Sequence, residues 1–191
     1  GSEIEPPRGK MPEMNFYHVA ITAAADYLAR RTDHRAQHLE RIVGLRTQGA
    51  VIAGGPAPNG KTADLFYRAP DLDVVTRLVE EDPYWKGGVW TKYQPEPFAQ
   101  FLEPWRVPEL STDGSRLTML VEGEAPDVEM ATFALIEQPA AGRVALGGFF
   151  PGGRTLVLVN AADPDAAVAR LAESGFWTKG TLRARPFVHV L

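Results

Sequence analysis

Val51-Ile52-Ala53-Gly54-Gly55 returns later in the chain as Val144-Ala145-Leu146-Gly147-Gly148. The same offset carries onward without a gap. Gly60-Lys61-Thr62 falls on Gly153-Arg154-Thr155, Arg77-Leu78 on Arg170-Leu171, and Lys86-Gly87 on Lys179-Gly180. So many identities in one register mark two tandem copies of one unit. The copies diverge where chemistry would sit, because His38 and Asp82 of the first fall on Ala131 and Gly175 of the second. The contrast predicts one working half and one scaffolding half.

Working outward from the repeat, the first unit opens on Asn15 to Thr22. Tyr17, Val19 and Ile21 would face one way there, and Phe16, His18 and Ala20 the other, as in a strand. Ala23 to Arg31 reads as a short helical turn. Asp33 is placed to cap a helix over His34 to Gln48, which Gly49 stops. Leu39, Ile42 and Val43 form the buried stripe of that helix, with Leu45 at its margin. Val51 to Ala53 is a strand, Pro58-Asn59-Gly60 a turn, and Ala63 to Arg68 a third strand. Asp71 or Pro70 opens a second helix whose Leu72, Val75, Leu78 and Val79 share a face, and Asp82-Pro83 ends it. Val89 to Tyr93 is a fourth strand, and Pro95 to Phe101 an added edge segment. The second copy repeats the series with strands at Leu117 to Val121, Val144 to Leu146, Thr155 to Asn160 and Leu182 to Val190. Its helices are Val128 to Glu137 and Pro164 to Ser174.

The order β-α-β-β-α-β is that of a ferredoxin-like unit, and the expected class is α+β with two such units in tandem. Their expected extents are 14–103 and 116–191, joined by a Pro/Gly-bearing linker over 104–115. Residues 1–13 read as a leader outside the fold, with Gly1-Ser2 a cloning remnant. Each unit would carry both helices on one sheet face and leave the other bare, so each needs a cover. The second sheet can supply that cover within the same chain. The predicted result is two sheets packed face to face as an intramolecular pseudo-dimer, with further homodimerisation open.

Composition narrows the function. The 191 residues carry a net charge of -4 with acidic and basic residues interspersed, so no basic patch points to nucleic acid. No apolar run approaches the roughly 20 residues needed to span a bilayer. The absence of cysteine removes disulfides, thiolate nucleophiles and zinc–thiolate sites. These features fit a soluble, cytoplasmic protein whose partner is a small molecule.

Arg35-Ala36-Gln37-His38-Leu39-Glu40-Arg41, then Gly54-Gly55-Pro56, then Asp82-Pro83-Tyr84 with Gly87-Gly88-Val89, follow one another in the first copy. This series resembles the YCII (YciI-like) family over about Asn15 to Trp105. The second copy shares the element pattern, its Gly-Gly pair and Trp177-Thr178-Lys179-Gly180. The resemblance implies a dimeric α+β barrel, here closed within one chain, with an active site built on a histidine and an aspartate. His38 and Asp82 match those two positions. One branch of the family is associated with dehydrochlorination of a hydroxylated aromatic. The wider barrel superfamily includes muconolactone isomerases, cofactor-free monooxygenases and haem-handling proteins. The dyad-less second copy departs from a two-site barrel.

The residues themselves support that pair. His38 lies about forty degrees round its helix from Ile42, at the edge of the buried stripe, where a side chain can enter a cleft. An imidazole can move a proton near neutral pH, and a carboxylate fixed before a rigid proline can hold its tautomer. The structural alternatives are an amphipathic boundary histidine and a helix-ending aspartate. His34 stands four residues before His38, the spacing of a two-histidine metal face, but the glutamate of the zinc-protease motif is missing, so no metal is assigned and His34 is expected to contact substrate instead. His18 either contacts substrate or sits in the core bonded to a carbonyl. Tyr84, Trp85 and Trp90 either wall a site for a flat substrate or pack between the halves. Gly54-Gly55, present in both copies, reads as a bulge or close sheet contact. The expected activity is cofactor-free acid–base chemistry (elimination, isomerisation or cyclisation) on a small aromatic or polyketide-like molecule. A non-catalytic binding protein and a cofactor-free oxygenase are the alternatives.

Overall fold

The computed structural model describes residues 13–100, 109–140 and 144–191. In the first unit, β1 (Asn15–Ala23) leads through α1 (Tyr27–Arg31) and α2 (Arg35–Thr47) to β2 (Val51–Pro56) and β3 (Thr62–Ala69). Then follow α3 (Leu72–Glu80), the single turn α4 (Pro83–Lys86), β4 (Trp90–Pro97) and the two-residue β5 (Ala99–Gln100). The second unit runs β6 (Leu117–Glu124), α5 (Val128–Ala140), β7 (Val144–Phe149), β8 (Arg154–Val159), α6 (Pro164–Ala172) and β9 (Arg183–Val188). The sheets have the orders β2-β3-β1-β4 and β5-β7-β8-β6-β9, with every recorded pairing antiparallel. These are the two predicted ferredoxin-like units.

Alternation along each strand sorts the core into three layers. Tyr17, Val19 and Ile21 of β1 join Leu65 and Tyr67 of β3 under Ile42, Val75 and Val79 of the helices. Met119, Val121 and Val157 pack in the same way under Leu135 and Leu171. A third cluster joins Phe66 of the first sheet to Leu120, Leu156, Leu158 and Phe187 of the second. That middle layer is the face-to-face cover the sequence demanded.

Each unit also lends chain to the other sheet. Ala99 and Gln100 pair with Phe149 and Gly148. At the opposite end, Val190 and Leu191 donate their N–H groups to the Gly54 carbonyl at 3.1 Å each. These crossings explain the repeated Gly-Gly. A Cβ on Gly55 would lie 1.8 Å from the Val188 carbonyl oxygen, and one on Gly148 would lie 2.4 Å from that of Ala99. Both glycines admit the other unit's last strand, and both β2 and β7 carry a register shift just before them.

Several expectations need correction. The repeat is not gapless: Gly54 pairs with Leu65 and Gly147 with Val157, so the second hairpin loop is one residue shorter. In consequence Ser174, not Gly175, stands where Asp82 stands in the first unit. His34, rather than Asp33, occupies the N-cap of α2, without a side-chain cap bond. On α3 the buried pair is Val75 and Val79, while Leu72 is exposed. Asp82 does not close α3 but opens α4. The edge segment after Pro95 belongs partly to β4 and partly, as β5, to the other sheet. The leader, apart from Glu13, and the linker up to Pro108 lie outside the described residues. The rest of the linker is docked, Ser111 N–H donating to Val190 O at 2.9 Å.

Candidate active site

The site is assembled by α2 and by the short segment from Asp82 to Trp90. Asp82 has extended backbone angles, and its carboxylate accepts the Tyr84 N–H at 2.8 Å, which starts α4. Pro83 suits the first helical position because it has no N–H to leave unpaired. The same carboxylate oxygen, Oδ1, lies 2.7 Å from His38 Nδ1. Asp82 is fully buried, whereas the His38 side chain keeps 12% of its exposure. Nδ1–H therefore donates to the carboxylate, and Nε2 is the ring nitrogen left for a second partner.

Aromatic rings fix the imidazole. Tyr84 stacks on it with centroids 3.7 Å apart and planes 7° apart. Trp90 meets it edge-on at 5.2 Å. Burial, then the neighbouring Tyr27, push the Tyr84 phenol up to about 12, so it stays protonated near neutral pH. Behind the dyad, Asp82 Oδ2 and the Tyr67 hydroxyl are buried without a hydrogen-bond partner among the described residues. Burial and then the Asp82 charge raise the Tyr67 pKa, which keeps that phenol neutral as well.

A cavity of about 110 Å³ opens beside these groups. His38, Tyr84 and Trp90 line it, together with Tyr27, Arg31 and Arg35 from the helical side. Thr112, Val190 and Leu191 close it from the second half of the chain. The duplicated half therefore supplies part of the wall.

The structure thus brings His38, Asp82, Tyr84 and Trp90 together and places the other candidates elsewhere. Trp85 packs edge-on against Tyr93 at 5.0 Å, away from the cavity. The His34 ring lies over Gly87, where a Cβ would come within 2.4 Å of its Nε2. His18 is buried between the sheets with its Nε2 2.8 Å from Asp64, a carboxylate in place of the expected carbonyl. Arg185 of the second unit clamps both oxygens of that carboxylate, at 2.9 and 2.8 Å. Burial works to raise the Asp64 pKa, but the hydrogen bond from His18 and the Arg185 charge hold it below the usual value. Among the described residues no three ligand-type side chains come together as a metal site.

Sequence reasoning missed Arg31 and the cavity role of Arg35. For Arg35 the signal was present, because Arg35, His38 and Ile42 recur on one face of α2, whereas Arg31 comes from the separate turn α1. It also missed the Asp64–Arg185 clamp, which joins residues far apart in the chain.

The profile of the YCII-related domain matches residues 15–99. No curated protein matches the chain in sequence. Among solved structures, a monooxygenase candidate from Lactobacillus acidophilus superimposes with a TM-score of 0.61 at 8% identity, over 94% of this chain and 95% of its own. A monooxygenase candidate from Fusobacterium nucleatum gives 0.50 at 8% identity, over 95% and 94%. The 5-chloro-2-hydroxyhydroquinone dehydrochlorinase of Burkholderia phenoliruptrix, solved with 2,5-dihydroxybenzoquinone, is 26% identical over 42% of this chain and 90% of its own, with a TM-score of 0.38. The full-length likenesses establish the fold, and no helix among the described residues is long and apolar enough to cross a membrane. Residues 15–99 thus match the YCII-related domain, and the described residues form two ferredoxin-like units stacked sheet on sheet, the fold of a dimeric α+β barrel built within one chain.

Proposed function

We propose that the protein is an acid–base enzyme acting on a small unsaturated ring compound, with His38 Nε2 as the proton-moving atom. The observation that carries this reading is that His38, which lines the cavity, is bonded through Nδ1 to a fully buried carboxylate, so that Nε2 is the ring nitrogen left to react. Asp82 fixes the tautomer and would stabilise the imidazolium formed when Nε2 takes a proton. Tyr84 and Trp90 prevent the ring from turning away and give the substrate an aromatic wall. The cavity volume, about 110 Å³, is of the order of the ~150 Å³ that accepts one benzene ring. It favours one ring over a fused polyketide skeleton. In an isomerisation Nε2 would take a proton from one ring atom and return it to another, and in an elimination it would take a proton while the neighbouring ring carbon loses its leaving group as an anion.

The test is deuterium uptake from D2O into hydroxylated or enolisable ring compounds that bind the protein, followed by NMR. His38→Gln is expected to slow exchange by about a hundred- to ten-thousand-fold, the usual range for one general base. Equal exchange by His38→Gln and the unaltered protein, or no exchange in any bound compound, would exclude the assignment.

A further inference from the structure

Among the described residues the cavity has charge of one sign. Arg31 and Arg35 line it, and no described aspartate or glutamate does. Asp82 sits behind His38, wholly buried and committed to the imidazole and to Tyr84 N–H. Two other arginines on the same helices have counter-charges: Arg30 holds Asp26 at 2.7 Å, and Arg41 lies 3.7 Å from Glu81. Arg31 and Arg35 have none within salt-bridge reach among the described residues.

Arg31 stands over the Tyr27 ring at 5.3 Å, an aromatic rest that orients a guanidinium without neutralising it. Arg31, Arg35 and Tyr84 line the same cavity, and both guanidinium charges act on the Tyr84 phenol, where they oppose the upward pull of burial. Arg35 also begins α2, whose first turn carries no acidic side chain and whose N-cap side chain makes no bond. The positive end of a helix is thus added to two unpaired arginines. A purely structural arginine pair would be expected to share a carboxylate. These two share an opening.

We propose that Arg31 and Arg35 form an anion clamp, so that the site takes a single-ring unsaturated substrate bearing a carboxylate or an ionised phenol. The planar oxyanion would be held by the two guanidinium forks, a geometry arginine favours, with the ring beside Trp90 and within reach of His38 Nε2. The clamp names the substrate class for the acid–base reading above and rests on it for the step that follows binding, but the binding can be tested without it.

The probes are benzoate, 4-nitrophenolate and neutral benzamide, titrated against the full chain while the Trp90 environment is followed by fluorescence and the ring contacts by NMR. Benzoate or 4-nitrophenolate is expected to bind at least about tenfold more tightly than benzamide. The preferred anion shows whether carboxylate or phenolate is the native group. Arg31→Gln and Arg35→Gln should each weaken anion binding by about tenfold or more, and Arg35→Lys should restore part of the loss. His38→Gln should keep the anion preference while losing proton exchange. Benzamide binding as well as both anions, none of the three binding, or arginine variants that fold and bind anions unchanged would each overturn the clamp. Anion binding intact in a His38→Gln protein that still exchanges protons would instead sink the acid–base reading alone.

Discussion

Where the first half sets His38 against Asp82, the second half carries Ala131 and Ser174 at the matching positions. Ala131 is fully buried, and Ser174 copies the local task of Asp82 by accepting the Phe176 N–H at 3.4 Å. Where the first half buries His18 and Asp64 between the sheets, the second presents Leu120 and Leu156 at the matching register. The two sheets have the same strand order, apart from the added β5, and the same Gly-Gly crossings. The fold therefore needs neither pair of ionisable groups, since one half builds it without them. What the first half retains beyond the shared frame is a buried carboxylate at each of two places, and such groups are costly unless paired.

Making the first half resemble the second is the sharpest way to break this comparison. His38→Ala/Asp82→Ser copies Ala131 and Ser174. It should abolish proton exchange, a fall of about a hundred- to ten-thousand-fold, while circular dichroism and the oligomeric state stay unchanged. His38→Ala alone should be less stable than the double variant, because it leaves the Asp82 carboxylate buried with one N–H partner. Chemical denaturation of the three proteins decides the order. A double variant less stable than the single one would mean that Asp82 supports the fold in its own right.

The second buried carboxylate is the next test. Asp64→Ala removes the counter-charge shared by His18 and Arg185 and should cost about 3–5 kcal/mol, the usual penalty for breaking a buried pair. His18→Leu/Asp64→Leu/Arg185→Leu extends the apolar contact of Leu120 and Leu156 and should recover most of that loss. Urea midpoints report both, and a triple variant as unstable as Asp64→Ala would show that the clamp stabilises the interface beyond mere neutralisation. Because Asp64 has a depressed pKa when folded, its contribution is complete above the ordinary carboxylate range. It is lost as pH falls through the folded value.

A smaller, pH-dependent difference concerns His189, just beyond β9. Burial, then the nearby Arg116 charge, lower its pKa from 6.5 to about 4. A histidine that resists protonation when folded binds fewer protons than in the unfolded chain. Stability is therefore full above pH 6.5 and declines between 6.5 and about 4, by up to about 1.4 kcal/mol per pH unit. His189→Gln, which matches Gln100 in the equivalent crossing segment, should flatten that slope by one proton in denaturation series at several pH values. An unchanged slope would place the acid lability elsewhere.

How much of this could be read in the sequence follows the range of each interaction. The duplication, the strand alternation and the Asp71 cap are local patterns, and they gave the fold. The Asp82–His38 pair was legible because each residue sits in a recognisable local motif, a helix edge and an Asp-Pro step, although that step opens α4 and does not close α3. Asp64 looked like an ordinary strand residue because its partners, His18 and Arg185, come from other strands and the bond is set by sheet stacking. The role of Gly55 was half legible: recurrence marked it as structural, but the Val188 carbonyl that needs its missing side chain arrives from the other unit. His34 and Trp85 misled because motif adjacency was taken for adjacency in space. One turn of α4 is enough to point Tyr84 at the imidazole and Trp85 at Tyr93.

The smallest expected effect lies on α2 itself. Gly44 sits in the interior of this helix, and the matching position of α5 carries Glu137. A Cβ built on Gly44 meets nothing within 4 Å, and Gly44 has no positive φ to protect. The glycine thus has no packing reason, and its cost is backbone entropy in the unfolded chain. Gly44→Ala should stabilise the protein by about 0.5–1 kcal/mol, read as a higher urea midpoint with an unchanged slope. Because Gly44 is not among the residues that line the cavity, proton exchange and anion binding should not change. A loss of exchange in a more stable Gly44→Ala protein would show that α2 has to flex when His38 works, a requirement that α5, with Ala131 in that place, does not have.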